Sequence, residues 1–198
     1  VAGPPTSVEV DVDADLFEAG DSTVRVLGTV PGVHGDTVAE VSYSSLSAKT
    51  RLALWVRLLA VSAARPEREW CTLGIGRARS GGKLVRHRAL DGPAEHRAAE
   101  AGRLLGRLVA LRQRGLRQPL PLPCKTAEAW ASAAHREQDP RQAAERCWTG
   151  GNYPGDDADA STVRIYGEGA GLDVLLAAGL DPLARNLWDP ILVRESWR

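Results

Sequence analysis

The stretch GTVPGVHGDTVAEVSYSS, residues 28–45, has the rhythm of a two-stranded hairpin that could carry a metal site for cleaving phosphodiester bonds. Such chemistry needs hard oxygen ligands for Mg²⁺. Carboxylates on neighbouring strands, with a Lys nearby, can hold the metal and activate a water molecule. We therefore expect an Asp near the middle of the first strand, and an Asp or Glu two residues before a Lys on the second.

The residues found at these positions do not complete such a site. They are Pro31 on the first strand and, depending on register, Glu40 with Ser42 or Val41 with Tyr43 on the second. Neither alternative contains a Lys, and one carboxylate without partners is a poor magnesium site. The sequence therefore predicts no catalytic residue, no metal and no cofactor here, and it predicts Glu40 as a solvent-facing strand residue.

The remaining reactive residues show no pattern typical of catalysis. The four His have no HxxxH spacing, and no GxSxG motif supports a nucleophilic Ser. The three Cys lie far apart without metal-ligand spacing, which favours reduced cysteines in a cytoplasmic protein. No transmembrane helix or secretory signal is visible. The absence of Met leads us to expect that the chain is a fragment.

Hydrophobic periodicity predicts the elements that position these residues. Alternating or β-rich segments predict strands at 7–13, 22–33, 37–44, 69–77, 83–90 and 162–167. A period near 3.6 predicts helices at 47–64, 93–114, 126–137, 141–148 and 181–192. Together they predict an α/β fold with a mixed central sheet flanked by helices. We expect a core over residues 1–118 and a helical extension over residues 119–198 packed on that core.

Local sequence signals refine three of these elements. Pro31 has no amide hydrogen for a strand ladder, so it should lie at an edge or a bulge. Ser47 and Thr126 are expected to cap the helices that follow them. The buried face of the first helix is expected to consist of Leu52, Trp55, Val56, Leu59, Ala60 and Ala63.

A net charge of zero hides an uneven distribution of charged residues. Residues 1–40 carry eight acids and one Arg, residues 41–136 carry eighteen Lys or Arg and six acids, and residues 137–198 carry six Arg and eleven acids. The basic middle indicates a surface for a polyanion or an acidic partner, pairing between segments, or a solvated basic hairpin. Candidate DNA or partner contacts are Arg77, Arg79, Lys83, Arg86 and Arg88 on a hairpin, and Arg103 and Arg107 on the next helix.

Several segments resemble one known family in their order and spacing. They are residues 28–63, then GLRQPLPLPCKTAEAWA at 115–131, then YPGDDADASTVRIYGE at 153–168, and DPLARNLWDPIL extends the match. The chain resembles the C-terminal domain of RecC, the gamma subunit of exodeoxyribonuclease V, of an actinobacterial type.

The resemblance implies a fold like that of the PD-(D/E)xK nucleases, in a version without the active site. Pro31 and the second-strand pair would stand where active relatives carry Asp, Asp or Glu, and Lys. It also implies a noncatalytic role in the RecBCD helicase–nuclease, which processes double-strand DNA ends for recombinational repair. The implied partners are the sister subunits RecB and RecD and duplex or forked DNA, which the domain would help hold, guide or split.

Two other hypotheses stay open at this point. The basic middle segment is also typical of an autonomous nucleic-acid-binding module, whose affinity would depend steeply on salt. A metal-dependent nuclease with a migrated site, combining Glu40 with an acid of the first strand, is the third hypothesis. It is less consistent with the sequence because two-metal chemistry needs several carboxylates.

Overall fold

The computed structural model contains a six-stranded mixed sheet and describes residues 3–16, 22–78 and 82–198. The strands lie side by side in chain order: β1 (Thr6–Leu16), β2 (Ser22–His34), β3 (Thr37–Val41), β4 (Cys71–Arg77), β5 (Gly82–His87) and β6 (Glu195–Trp197). β3 and β4 are parallel, whereas the other neighbouring pairs are antiparallel. A parallel pair requires a crossover connection, and α1 (Ala48–Ala64) supplies it. The predicted α/β class with a mixed sheet is confirmed.

The chain divides into two compact units. Six helices follow α1 in the described ranges: α2 (Ala94–Gly115), α3 (Cys124–His135), α4 (Pro140–Trp148), α5 (Ala160–Tyr166), α6 (Asp173–Ala177) and α7 (Leu180–Leu192). The first unit comprises residues 1–113 and 194–198 and contains the sheet, and the second comprises residues 114–193. The predicted division at residue 118 stays a prediction. No helix in the described ranges combines the length and apolar character needed to cross a membrane.

Helix α1 packs against the sheet and forms much of the core of the first unit. Ser47 caps it as predicted, because its hydroxyl oxygen accepts a hydrogen bond from Thr50 N at 3.2 Å. Trp55, Leu59 and Ala60 of the predicted stripe are buried. The rest of the buried face, however, lies one residue before the predicted positions, and Val56 is 39% exposed. The residues that line this face at helical spacing are Arg51, Leu54, Trp55, Leu58, Leu59 and Ser62. The prediction counted apolar residues alone, so it missed that two polar residues complete the buried face.

A β-bulge in β2 accommodates Pro31. The register with β1 shifts there, because Thr6 pairs with Val33 whereas Ser7 pairs with Pro31. Gly32 is the extra residue, and its φ of +73° is a conformation that favours glycine. A Cβ at this position would lie 2.6 Å from a carbonyl oxygen of β3. The prediction of an edge or a bulge at Pro31 is confirmed.

Helix α2 lies against the last residues of β1 through two glycines one helical turn apart. A Cβ added at Gly106 would lie 1.7 Å from Asp15 O, whereas one added at Gly102 would lie 3.6 Å from Asp13 O. The helix and strand backbones therefore approach most closely at Gly106. β1 is an edge strand, and edge strands present unpaired backbone groups. The glycines allow α2 to lie beside this end of the strand.

The second unit contradicts two local predictions. Residues 160–166 form α5 and not the predicted strand, because Asp159 caps the helix by accepting a hydrogen bond from Ser161 N at 2.9 Å. Helix α3 begins at Cys124, so Thr126 lies inside its first turn and is not its N-cap. The strand β6 and the short helix α6 were not predicted.

A carboxylate distant in sequence takes over the capping of α3. Asp156 Oδ2 accepts hydrogen bonds from Lys125 N at 3.1 Å and from both Thr126 N and Thr126 Oγ1 at 3.0 Å. The Asp156 side chain is 14% exposed. Helix N-termini favour negative charge, so this contact fixes the segment before α5 against the beginning of α3.

The close approach of α2 to β1 generates a prediction with an internal control. Gly106→Ala should lower the free energy of unfolding by about 1–3 kcal/mol, because the added methyl group meets strand backbone that cannot move aside cheaply. Gly102→Ala should raise it by up to about 1 kcal/mol, because its Cβ has room and Ala favours helix. Urea denaturation of both variants measures the difference. Equal changes in stability would contradict the contact between α2 and β1.

Candidate partner and DNA interface

Glu40, the acid among the predicted site positions, lies on β3 and is paired with a cation. Its carboxylate forms an ion pair with Arg57 of α1, and each side chain is 31% exposed. In the parallel ladder Glu40 is opposite Gly74 of β4, which has no side chain that could share a ligand. The prediction of a solvent-facing Glu40 therefore missed its partner. Arg57 neutralises the negative charge of Glu40 that would otherwise attract a metal ion.

The other predicted site positions do not converge on Glu40. β2 and β3 pair at only two positions beside their shared turn, so the ladder ends before it reaches Pro31. Pro31 is exposed, Val41 is 69% exposed and Tyr43 is 96% exposed. Ser42 Oγ accepts a hydrogen bond from a backbone amide two residues later at 3.1 Å. Within residues 3–16, 22–78 and 82–198, no group of three or more His, Cys, Asp or Glu could hold a metal ion.

The basic hairpin β4–β5 distributes its cations over both faces of the sheet. Gly74 faces Leu54 of α1, and side chains alternate along a strand. Arg77 therefore lies on the face that points away from α1, which we call the outer face. Arg86 lies on the outer face too, because it is paired opposite Leu73. Both Arg side chains are exposed.

The other candidate cations lie elsewhere. Lys83 points to the α1 side, where its Nζ lies 4.2 Å from the ring centroid of Trp197. Arg88 follows β5 and forms an exposed ion pair at 2.6 Å with an Asp three residues later. Arg103 and Arg107 lie on α2, the first half-buried and the second exposed. Arg79 lies outside the described residues. The structure therefore separates the predicted contacts into two sheet faces and one helix.

A buried ion pair that sequence reasoning missed connects α1 to β6. Arg51 Nε and Nη2 donate hydrogen bonds to the two carboxylate oxygens of Glu195, each at 2.6 Å. Their side chains are 7% and 4% exposed. His87 Nε2 lies 3.3 Å from Glu195 Oε1, and His87 Nδ1 lies 2.8 Å from Thr72 Oγ1. These residues come from α1, β4, β5 and β6, so no local sequence pattern could reveal the cluster.

The surroundings of Glu195 favour its ionised form. Burial alone would raise its pKa, but the hydrogen bonds from His87 and Arg51 and the charge of Arg51 outweigh burial and hold the pKa below its ordinary value. Trp197 covers the cluster, because its Nε1 donates a hydrogen bond to Glu195 Oε2 at 3.0 Å. The Arg51 Cζ lies 5.3 Å from the Trp197 ring centroid, a distance typical of cation–π contact.

Comparison with known proteins decides the family. Residues 1–135 match the model of the RecC C-terminal domain. The chain belongs to the RecC C-terminal domain family. The match includes β1 to β5 and the helices α1 to α3, and therefore both the hairpin with the five site positions and the basic hairpin. The predicted resemblance is confirmed.

Mycobacterial relatives extend this similarity over most of the chain. The RecBCD enzyme subunit RecC of Mycobacterium tuberculosis (strain ATCC 25618 / H37Rv) is 38% identical over 199 residues, covering 94% of this chain and 17% of the relative. The RecBCD enzyme subunit RecC of Mycolicibacterium smegmatis is 42% identical over 197 residues, covering 93% of this chain and 17% of the relative. The chain thus spans 17% of the length of these RecC relatives.

The buried ion pair generates a prediction about stability. Glu195→Gln should lower the free energy of unfolding at pH 7 by about 3–5 kcal/mol, because it leaves the buried Arg51 charge without its counter-ion. Asp11→Asn removes the carboxylate of an ion pair with Arg25 whose side chains are 57% and 64% exposed. It should therefore change the free energy of unfolding far less than Glu195→Gln does. Urea denaturation of both variants tests the difference.

The same pair predicts the direction of pH dependence. The pKa of Glu195 is lowered by folding from its ordinary value of 4.5, so its stabilisation is complete above pH 4.5 and is lost as pH falls through the folded-state pKa. The original chain should lose more stability than Glu195→Gln below pH 4.5. A stability difference between the two that stays constant from neutral pH into that range would contradict this assignment.

Proposed function

We propose that this chain is a noncatalytic module of a RecBCD-type helicase–nuclease. In this role it docks the sister subunits RecB and RecD and guides or splits duplex DNA at double-strand ends during recombinational repair. The observation that carries the proposal is the match of residues 1–135 to the RecC C-terminal domain. The identity of 38–42% to mycobacterial RecC subunits of the RecBCD enzyme supports it.

The noncatalytic part of the proposal is supported by the state of Glu40. Its carboxylate is occupied by Arg57 of α1, and the positions expected to hold further ligands carry Pro31, Ser42 or uncharged side chains. The order of a meander β1–β3, then α1, then a strand parallel to β3 fits the nuclease-like ancestry that the resemblance implies. We propose that the domain is a nuclease scaffold retained for assembly.

The DNA-guiding part is supported by cations on elements of the first unit. Arg103 and Arg107 are one helical turn apart on α2 and project from the same side of the helix. Lys83 lies on the α1 side of the sheet beside Trp197. Cations of this kind contact phosphates and position a duplex without specifying its sequence. Their contribution should therefore depend on salt and not on base sequence.

Co-elution tests the docking role. The chain, the RecB and RecD subunits of the same complex and a forked duplex are passed over a sizing column, with and without the fork. The proposal expects the chain to elute with the sister subunits in both cases. If the chain elutes alone under both conditions, the docking role is wrong.

Charge reversal tests the DNA-guiding role. Arg103→Glu combined with Arg107→Glu should weaken binding to a forked duplex by at least tenfold at low salt and reduce the dependence of affinity on salt. Arg136→Glu combined with Arg164→Glu is the matched control, because it reverses two exposed Arg in the second unit. Fluorescence anisotropy measures both affinities. Equal effects of the two double variants would contradict the assignment to α2.

This titration also addresses the autonomous nucleic-acid-binding module, which is favoured by the basic segment between residues 41 and 136. That function requires tight fork binding by the chain alone, whereas the proposed function requires docking. Binding of the fork by a chain that never joins the sister subunits would favour the autonomous module.

A further inference from the structure

An aliphatic patch on the outer face of β3, β4 and β5 is only partly covered by the described chain. The patch, named here the outer patch, consists of Ala39, Val41, Leu73, Ile75 and Leu84. Val41 is 69% exposed and the other four side chains are half-buried. In contrast, Val38 and Val85, which point from the same strands toward α1, are 0% exposed. Sheets with apolar side chains on both faces are usually covered on both.

The width of the outer patch matches one helix. The ladder register aligns Val41 with Ile75 and Ile75 with Leu84, so these three side chains form a row across three strands. Neighbouring strands are about 4.8 Å apart, which makes the row roughly 10 Å wide. An α-helix with its side chains has a diameter of about 10–12 Å. A single helix lying on the row would therefore bury it.

Two cations border the outer patch. Arg86 is opposite Leu73 and borders the patch on the β5 side. Arg77 ends β4 on the same face, two residues beyond Ile75. Both Arg side chains are exposed. An occupant with carboxylates beside its apolar stripe would gain favourable ion pairs at this rim, whereas a cationic occupant would be repelled.

We propose that the outer patch binds an amphipathic helix of a protein partner, with an apolar stripe on Val41, Ile75 and Leu84 and flanking Asp or Glu side chains on Arg86 and Arg77. This inference narrows the docking role proposed above and rests on it. Single-stranded DNA is a poorer occupant, because such surfaces stack bases on aromatic rings and the patch is aliphatic. A symmetric second copy would bring two sets of the same cations together.

A designed peptide tests the chemistry of the site directly. The probe is a labelled 18-residue helical peptide with a Leu stripe at helical spacing and Glu on its flanks, and its counterpart carries Lys in place of each Glu. We expect the Glu peptide to bind the chain at least tenfold more tightly than the Lys peptide. Val41→Asp should weaken binding of the Glu peptide at least tenfold. Arg86→Glu should make the chain bind the Lys peptide more tightly than the Glu peptide.

A matched variant controls for general effects of a new surface charge. Leu27→Asp changes a residue of β2 that is 64% exposed and not part of the outer patch. It should leave peptide binding unchanged. Binding that is absent, or that is equally sensitive to Val41→Asp and Leu27→Asp, would overturn the inference. The inference would also be overturned if Val41→Asp and Arg86→Glu weakened binding of a single-stranded oligonucleotide but left binding of the peptide unchanged.

The same variants separate this inference from the proposed function in the assembled complex. Val41→Asp and Arg86→Glu should reduce co-elution with the sister subunits, and Leu27→Asp should not. Normal co-elution of all three variants would overturn the inference and leave the docking role intact. A chain without substitutions that never co-elutes would overturn the docking role and the inference with it. Association between copies of the chain that Val41→Asp abolishes in sedimentation would identify a second copy as the occupant and overturn the inference.

Discussion

The buried ion pair between Arg51 and Glu195 joins residues that are 144 positions apart. It connects α1 to the last strand of the sheet in the first unit. β6 has only three residues, so its backbone ladder alone offers little. Two further backbone hydrogen bonds connect Leu84 and Arg198, at 2.8 and 3.0 Å. Removing either charge would leave the other buried without a counter-ion, which would destabilise the fold. The pair therefore makes the end of the chain a structural part of the first unit, although residues 114–193, which separate Arg51 from Glu195 in the sequence, form a second unit.

The parts of the fold that the sequence predicted correctly depend on local signals. Period-two alternation located β1, and the missing amide of Pro31 located the bulge, because both signals act within a few residues. The cap at Ser47 was predictable for the same reason. The burial of Arg51 on α1 was not predictable, since it depends on an acid from the last strand. The strand predicted at 162–167 failed because the β-branched residues Val163 and Ile165 suggested alternation, while the cap at Asp159 decided for helix.

The candidate site shows a similar division between residue types and their surroundings. The absence of a second carboxylate and a Lys was visible in the sequence, but the pairing of Glu40 with Arg57 required the packing of α1 on β3. The basic hairpin was visible too, yet its division between faces depends on register. Arg86 borders aliphatic side chains on the outer face, whereas Lys83 lies beside Trp197. The cations of one basic segment therefore lie in two different surroundings. The proposed site for an acidic protein partner lies on the outer face, beside Arg86.

The noncatalytic role proposed for this member of the RecC C-terminal domain family depends on the state of Glu40. The most direct measurement is Mg²⁺-dependent cleavage of linear duplex DNA by the purified chain, compared with its Glu40→Gln variant. We predict no cleavage by either protein, because Arg57 pairs with the carboxylate that a metal ion would need. Cleavage by the original chain that disappears in Glu40→Gln would contradict the proposed noncatalytic role and assign Glu40 to an active site.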